Sequence, residues 1–227
     1  MTTRLLIVGY GRMGRIIETL APEYDFHVAG AIDEADADAG AEVWPAADVA
    51  IDFSIAEAVP ANFGKLASKG ISVVVGTTGW QQHEPALRRQ AEESGIGVVA
   101  APNFAIGVNL FIGLVERAAE LWKAQPAFGA WLHELHHAAK RDAPSGTALA
   151  LEAAMRRSGY QHSIDVASTR AGSIPGTHTV GFDAAAETIT LTHTARDRTV
   201  FARGALQAAQ WLRGRRGWFT MRDVLEL

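Results

Sequence analysis

The chain contains no cysteine. Disulfide bridges, iron–sulfur clusters and thiolate zinc sites therefore lie outside its chemistry. It also lacks the positive surplus that draws nucleic acid, because its formal net charge is −4 and no general basic field invites a polyanion. Long uninterrupted apolar runs are missing too. The opening run Leu5–Val8 is broken at once by Gly9, Gly11 and Arg12, unlike a signal peptide. The most apolar later segment, Ala105–Leu121, carries Glu116, Arg117 and Glu120 and reads as a soluble helix rather than a membrane span. Internal repeats and low-complexity linkers are absent. These absences predict a cytoplasmic protein with neither a membrane nor a nucleic-acid partner. What is present is ordinary for a globular protein: 227 residues, 48% hydrophobic and 20% charged, enough for one large domain or two modest ones.

The first half alternates strand and helix patterns. Arg4–Val8 is a short continuous apolar run, as expected of a strand buried on both faces. It leads directly into Gly9-Tyr10-Gly11-Arg12-Met13-Gly14 and then into the helical spacing Ile16, Ile17, Leu20. Here G-x-G-x-x-G stands between a strand and a helix, where glycines permit a tight turn and let a pyrophosphate approach the helix amides. Taken alone the motif is weak, and a plain strand–helix turn would explain it. A second strand, His27–Ile32, ends in Asp33, an acid at the distance expected of a ribose-binding residue. Asp33 and Glu34 would repel a 2′-phosphate, so the reading is a dinucleotide site preferring NADH over NADPH. The pattern then repeats through strands at Val49–Asp52, Ser72–Val75 and Gly97–Ala100, with helices at Glu57–Lys69 and Glu84–Ser94. Such alternation predicts a doubly wound parallel sheet with ligands at the strand C-termini. Gly76-Thr77-Thr78-Gly79 and Ala101-Pro102-Asn103-Phe104 both fall there.

After an amphipathic helix over Ala105–Lys123, the stretch His133–Ala148 gathers His133, His136, His137, Lys140 and a Ser145-Gly146-Thr147 helix start. Histidine and lysine supply protons and positive charge; a helix start presents backbone N–H groups to a carboxylate. Ala130–Leu135 reads as a strand, and Ser145 as the N-cap of a helix over Gly146–Arg157 that ends at Gly159. A rival reading is H-E-x-x-H, His133 to His137, the signature of a zinc hydrolase. It requires both histidines on one helix face. Trp131, His133 and Leu135 instead alternate as in a strand, no third ligand stands out, and no metal is expected. Four further strands, Ile164–Thr169, His178–Phe182, Thr188–His193 and Thr199–Ala202, look antiparallel and suggest a smaller α+β domain with a mainly antiparallel or mixed sheet. Arg170, in the loop before His178, could bind a carboxylate through its guanidinium fork. A last amphipathic helix is expected over Arg203–Arg213, with Met221–Leu225 packing back on the first domain.

Several of these strings together resemble one family. They are Gly-Arg-Met-Gly after the first strand, Gly-Thr-Thr-Gly, Pro102-Asn-Phe-x-x-Gly-Val-Asn109 and, most specific, Glu134-x-His-His-x-x-Lys-x-Asp-x-Pro-Ser-Gly-Thr147. Arg170-Ala-Gly, His178-Thr-Val and Phe201-Ala-x-Gly-Ala add to them. Over nearly its whole length the chain resembles the 4-hydroxy-tetrahydrodipicolinate (dihydrodipicolinate) reductases of diaminopimelate and lysine biosynthesis. The resemblance implies NAD(P)H-dependent reduction of a small cyclic dicarboxylate with loss of water. His136 would be the proton donor and acceptor and Lys140 the proton donor, while His137, Gly146 and Thr147 hold the substrate. The cofactor would lie along Gly9, Gly11, Arg12, Met13, Gly14, Asp33, Gly76, Thr77, Thr78, Ala101, Asn103 and Phe104. The expected division is 1–104 with 204–227 for the dinucleotide and 105–203 for substrate and oligomerisation, in a homotetramer. The chain departs from the family in a phosphate loop one residue shorter, in Glu34 where an arginine is common, and in Thr177 where a glutamate is frequent. An amino-acid or other small-carboxylate dehydrogenase remains the alternative; it would share the first domain but not the His-His-x-x-Lys string.

Overall fold

The computed structural model describes residues 2–36 and 39–227. By contact the chain forms two compact units, Met1–Ile106 with Arg198–Leu227, and Gly107–Asp197.

In the first unit the elements run β1 (Thr3–Val8), α1 (Arg12–Leu20), β2 (Phe26–Ile32), β3 (Val49–Asp52), α2 (Val59–Ser68), β4 (Ser72–Val75), α3 (Glu84–Ser94) and β5 (Gly97–Ala100). The six-stranded sheet has the order β10-β5-β4-β3-β1-β2, its sixth member being a late strand described below, and every pairing in it is parallel. Strand periodicity sorts the core. Leu5, Ile7, Val49, Ile51, Val74 and Val99 point to one face, while Leu6, Val8, Ala50, Val73, Val75 and Val98 point to the other. Both faces are buried, which accounts for strands that read as unbroken apolar runs. Helices α2 and α3 cover one side through Phe63, Leu66 and Leu87, and α1 covers the other through Ile17 and Leu20. The arrangement is a doubly wound Rossmann-type sheet.

The second unit continues with α4 (Ile106–Trp122), β6 (Gly129–His136), α5 (Gly146–Arg157), β7 (Ile164–Arg170), β8 (Thr177–Ala184) and β9 (Glu187–Thr194). Its sheet has the order β7-β6-β8-β9. One face packs on α4 and α5 through Leu132, Val180, Phe182, Leu151 and Val115. The sheet is mixed: β7, β8 and β9 alternate in direction, as expected of successive antiparallel strands, but β7 lies beside β6, to which it is parallel, rather than beside β8. The cause is α5: a crossover helix returns the chain in its original direction, as parallel pairing requires.

The chain re-enters the first unit with α6 (Thr199–Leu212), β10 (Gly217–Phe219) and α7 (Met221–Leu225). Thr199–Ala202, read as a strand, is the first turn of α6. Ala202, Ala205, Leu206, Ala209 and Leu212 recur at helical spacing and are fully buried, so tertiary burial overrides local propensity. Strand β10, absent from the sequence reading, adds to the sheet edge beside β5. Met221 and Val224 of α7 join the core of the first unit, as expected. No described helix is long and apolar enough to cross a membrane.

Phe182 anchors the second core. It is fully buried, stacks on Trp122 at 5.0 Å between centroids and meets Tyr160 edge-on at 5.9 Å. Phe182→Ala should cost about 3–5 kcal/mol, the range for a lost buried ring and the cavity it leaves. Urea unfolding followed by tryptophan fluorescence would measure it, and a loss below about 1 kcal/mol would contradict this packing.

Candidate active site

Strand β6 builds the chemical half of the site by alternation. Its burial pattern puts Ala130, Leu132, Glu134 and His136 on the core face, with Trp131, His133 and Leu135 opposite. His133 meets the Thr169 hydroxyl at 2.9 Å on that other face. The helix that H-E-x-x-H requires does not exist here, since those residues extend from the strand into a turn in which the Lys140 N–H bonds the His137 carbonyl.

Register then supplies the neighbours. Parallel pairing sets Arg170 of β7 opposite His136, and antiparallel pairing sets His178 of β8 opposite Glu134. The buried Glu134 carboxylate accepts at Oε1 from Arg170 Nη2 at 2.6 Å and from the Ser145 N–H at 3.3 Å. At Oε2 it hydrogen-bonds His136 Nδ1. Burial alone would raise the Glu134 pKa, but hydrogen bonds from Arg170, Ser168 and His136 outweigh it and bring the carboxyl down to about 2. For His136 burial lowers the pKa, with Glu134 partly offsetting it. His178 is buried, meets the Ser145 hydroxyl through Nε2 at 3.0 Å, and is pushed down to about 4 by burial first and the neighbouring His136 second.

Ser145 caps α5 as expected, its hydroxyl accepting from the Ala148 N–H at 3.2 Å. Lys140 reaches both Asp142 oxygens, at 2.7 and 2.9 Å. That pairing, with help from the Gly146 N–H, holds Asp142 below the usual carboxylate range. A carboxylate of the chain itself thus lies where the helix start meets the lysine. His137 and Thr147 are half-buried on the same stretch, and Gly146 is exposed. Arg170 is engaged within the chain: Nη2 also donates to the Asp142 carbonyl at 2.6 Å and Nη1 to the Thr169 carbonyl at 2.9 Å. Glu134, Asp142 and His178 were not singled out from the sequence. His178 sits in the noted His178-Thr-Val string, Glu134 and Asp142 are letters of the Glu134–Thr147 string, and Glu134 also falls in the rival zinc motif.

Glu134, His136 and His178 have potential ligand atoms within 4.8 Å of one another. Their fit to a metal ion is poor, because the Arg170 guanidinium already neutralises the one carboxylate and would repel a cation.

In the first unit a cavity of about 420 Å³ is lined by Gly9, Gly11, Asp33, Glu34, Ser54 and Asn62 among others. A second, of about 320 Å³, is lined by Gly76, Thr77 and Thr78 with Phe53–Ala56. Gly9 has φ +87°, and a Cβ there would lie 2.6 Å from the Phe53 and Ser54 backbone, so the turn requires glycine. Gly11 precedes α1 with no side-chain cap, which leaves the first-turn amides for an anion. Arg12 and Met13 start α1, whereas Gly14 is buried in it. Phe104 is buried in the core, edge-on to Phe53 at 6.2 Å, and Ala101 packs against the same core. Asn103 Oδ1 accepts from the Ala105 N–H at 2.8 Å. None of these last three lines either cavity. The turn after β3, Phe53-Ser54-Ile55, went unremarked in the sequence and lines both. Asp52 fixes it: although burial raises its pKa, its carboxyl accepts from the Ser54 N–H, the Ser54 hydroxyl and the Thr77 hydroxyl at 2.8, 2.6 and 3.1 Å.

Comparison with known proteins matches these two halves. Residues 3–104 fit the family model described as dihydrodipicolinate reductase, N-terminus, and 107–225 fit dihydrodipicolinate reductase, C-terminus. A curated 4-hydroxy-tetrahydrodipicolinate reductase from Acidiphilium cryptum is 40% identical over 96% of this chain and 94% of its own. One from Christiangramia forsetii is 34% identical over 97% of each. A dipicolinate-bound dihydrodipicolinate reductase from a Paenisporosarcina species shares the fold, with TM-score 0.81 at 21% identity over 97% of this chain and 98% of that one. An aspartate dehydrogenase from Thermotoga maritima is more distant in fold, with TM-score 0.50 at 9% identity over 92% and 95%.

The depressed His178 pKa has a consequence for stability. Between about 4 and the ordinary 6.5 the unfolded chain holds a proton that the native chain refuses, so stability falls as pH drops through that window. The expected loss is roughly 3 kcal/mol from His178 alone, at about 1.4 kcal/mol per unit; His136 and His193 act in the same direction. Denaturant midpoints measured from pH 7 to 4 should show it, and His178→Asn should flatten the slope. A profile unchanged by that substitution would contradict the assignment.

Proposed function

The chain belongs to the dihydrodipicolinate reductase family, an NAD(P)H-dependent oxidoreductase family of diaminopimelate and lysine biosynthesis, and from that premise we propose how its own residues carry the reaction. The substrate is 4-hydroxy-tetrahydrodipicolinate, which loses its hydroxyl as water to give a conjugated imine and is then reduced to tetrahydrodipicolinate. The bound dinucleotide supplies hydride; the chain must bind two carboxylates and deliver a proton. What most supports the reading is the meeting of Lys140, His136 and the start of α5 on one stretch of the second unit.

Lys140 donates the proton as hydride addition leaves charge near the ring nitrogen, and His136 relays protons to it. Gly146 and Thr147, with His137, hold one carboxylate; on arrival it exchanges with Asp142, which occupies Lys140 and the Gly146 N–H in this structure. The glycine turn, the amides of α1 and the Ser54 and Thr77 turns suit the dinucleotide. NADH is the preferred cofactor, since Asp33 and Glu34 at the cavity rim would repel a 2′-phosphate. We further assign a cytoplasmic homotetramer assembled through the outer face of the β7-β6-β8-β9 sheet. That face carries Trp131 lying across Gly181 and the cross-strand hydroxyl pairs Thr177–Thr194 and Thr179–Thr192.

An absorbance assay with the fresh condensation product of pyruvate and aspartate semialdehyde tests the reaction. Lys140→Ala and His136→Ala should each lower turnover about a hundredfold or more with NADH affinity retained; equal loss of NADH binding would overturn their assignment to chemistry. In the same assay kcat/KM should be higher with NADH than with NADPH. Glu34→Arg should move that ratio at least about tenfold toward NADPH, and an unmoved ratio would remove Glu34 from cofactor selection.

A further inference from the structure

We propose that Glu134 is a positioning residue of the reaction: its buried carboxylate, clamped by Arg170 and the Ser145 N–H, holds His136 with Nδ1–H on Glu134 and keeps Nε2 as the proton-transferring atom. The inference rests on the reading of His136 given above and adds residues to which that reading assigns no role.

Three observations carry it. The first is that Glu134 is fully buried, as a side chain two positions from His136 on the same strand face must be at this point of the core. A buried carboxylate is retained only when paired and hydrogen-bonded. Here Oε1 takes both N–H donors, Arg170 at 2.6 Å and Ser145 at 3.3 Å, the Ser168 side chain adds a further hydrogen bond to the carboxylate, and Oε2 meets the imidazole. A carboxylate can only accept, so the hydrogen on that bond belongs to His136 Nδ1. The second is at the other end of the ring. His136 Nε2 comes up against Gly176, where a Cβ would stand 3.1 Å away, and the chain there has φ +145°. Glycine at this position thus keeps a side chain of its own from crowding Nε2. The third is that Ser145 joins two functions. Its N–H binds Glu134, while its hydroxyl caps α5, whose first turn carries Gly146 and Thr147. Glu134 therefore ties the orientation of the imidazole to the position of the helix start. The groups facing His136 are Glu134 on β6, Arg170 on β7, His178 on β8 and Lys140 in the turn. Among them only Glu134 favours the protonated ring.

Glu134→Gln separates positioning from mere packing. Its amide oxygen can still accept from Arg170 and Ser145, which turns the NH2 toward His136. Nδ1 must then accept, and the hydrogen moves to Nε2. Expected results are a fall in kcat of about 10²–10⁴-fold, on the scale of positioned acid–base catalysis, with substrate KM and NADH affinity within about threefold. The pH limb belonging to His136 should move to lower pH. Combined with His136→Ala, the Gln substitution should lower kcat no further. Nitrogen-15 NMR of the histidine rings provides a readout that needs no substrate: Nδ1–H for His136 in the parent at pH 8, and Nε2–H in Glu134→Gln. A parent already in the Nε2–H form, kcat within threefold in Glu134→Gln, or additive losses in the double variant would each overturn the proposal. A parent protein with no turnover would instead sink the functional reading, and the NMR result would still decide the pairing.

Discussion

The constraint that shapes the second unit is a buried negative charge. Glu134 shares its strand face with Ala130, Leu132 and His136, and an isolated carboxylate there would be strongly unfavourable. Arg170 answers it at 2.6 Å, and that single ion pair ties together everything around it. It demands that β7 run beside β6 in a register that brings Arg170 level with His136. Because side chains alternate, a slip by one residue would put either partner on the outer face and leave a charge unpaired in the core. Hydrophobic contacts among Leu132, Val180 and Phe182 would tolerate several arrangements; the ion pair tolerates one.

The first unit solves a related problem with milder means. Asp52 is also buried at the end of a strand, but its partners are hydroxyls, an amide side chain and a backbone N–H rather than a cation. Burial consequently dominates and its pKa is raised, whereas that of Glu134 is lowered. The two carboxylates do different work. Asp52 draws together the turns after β3 and β4, which line the two cavities of the sheet edge. Glu134 sets the state of a titrating ring.

How much of this is legible in the sequence depends on how local the signal is. Helix α5 has the very bounds expected, Gly146–Arg157, because Ser145 caps it and Gly159 follows it, and both are local cues. The glycine turn is legible for the same reason. Strand pairing is not, since a period of two does not say which strand lies alongside, so the place of β7 next to β6 was not read. Strand β10 has only three residues, too few for any period, and Thr199–Ala202 follows its buried helical face rather than its β-branched residues. Phe53 and Ser54 carry no motif, and their importance comes from Gly9 packing against their backbone. Glu134 was visible as a letter in two competing motifs, but its role depends on Arg170 and His178, which only sheet pairing brings alongside.

Arg170 shows how donor geometry decides between two roles of one side chain. A guanidinium is suited to grip a carboxylate with two parallel N–H groups, and the sequence places it in the substrate half. In the fold, Nη2 serves Glu134 and the Asp142 carbonyl while Nη1 serves the Thr169 carbonyl, and Nε is buried without a partner. The side chain is 17% exposed. Turning it to a ligand would take a partner from the buried Glu134 charge and from the Asp142 turn, and both losses would count against the new ion pair. On the proposed reading, anion binding in this unit is left to Lys140 and the first turn of α5. Arg170 acts upstream of them, on the carboxylate that holds the histidine.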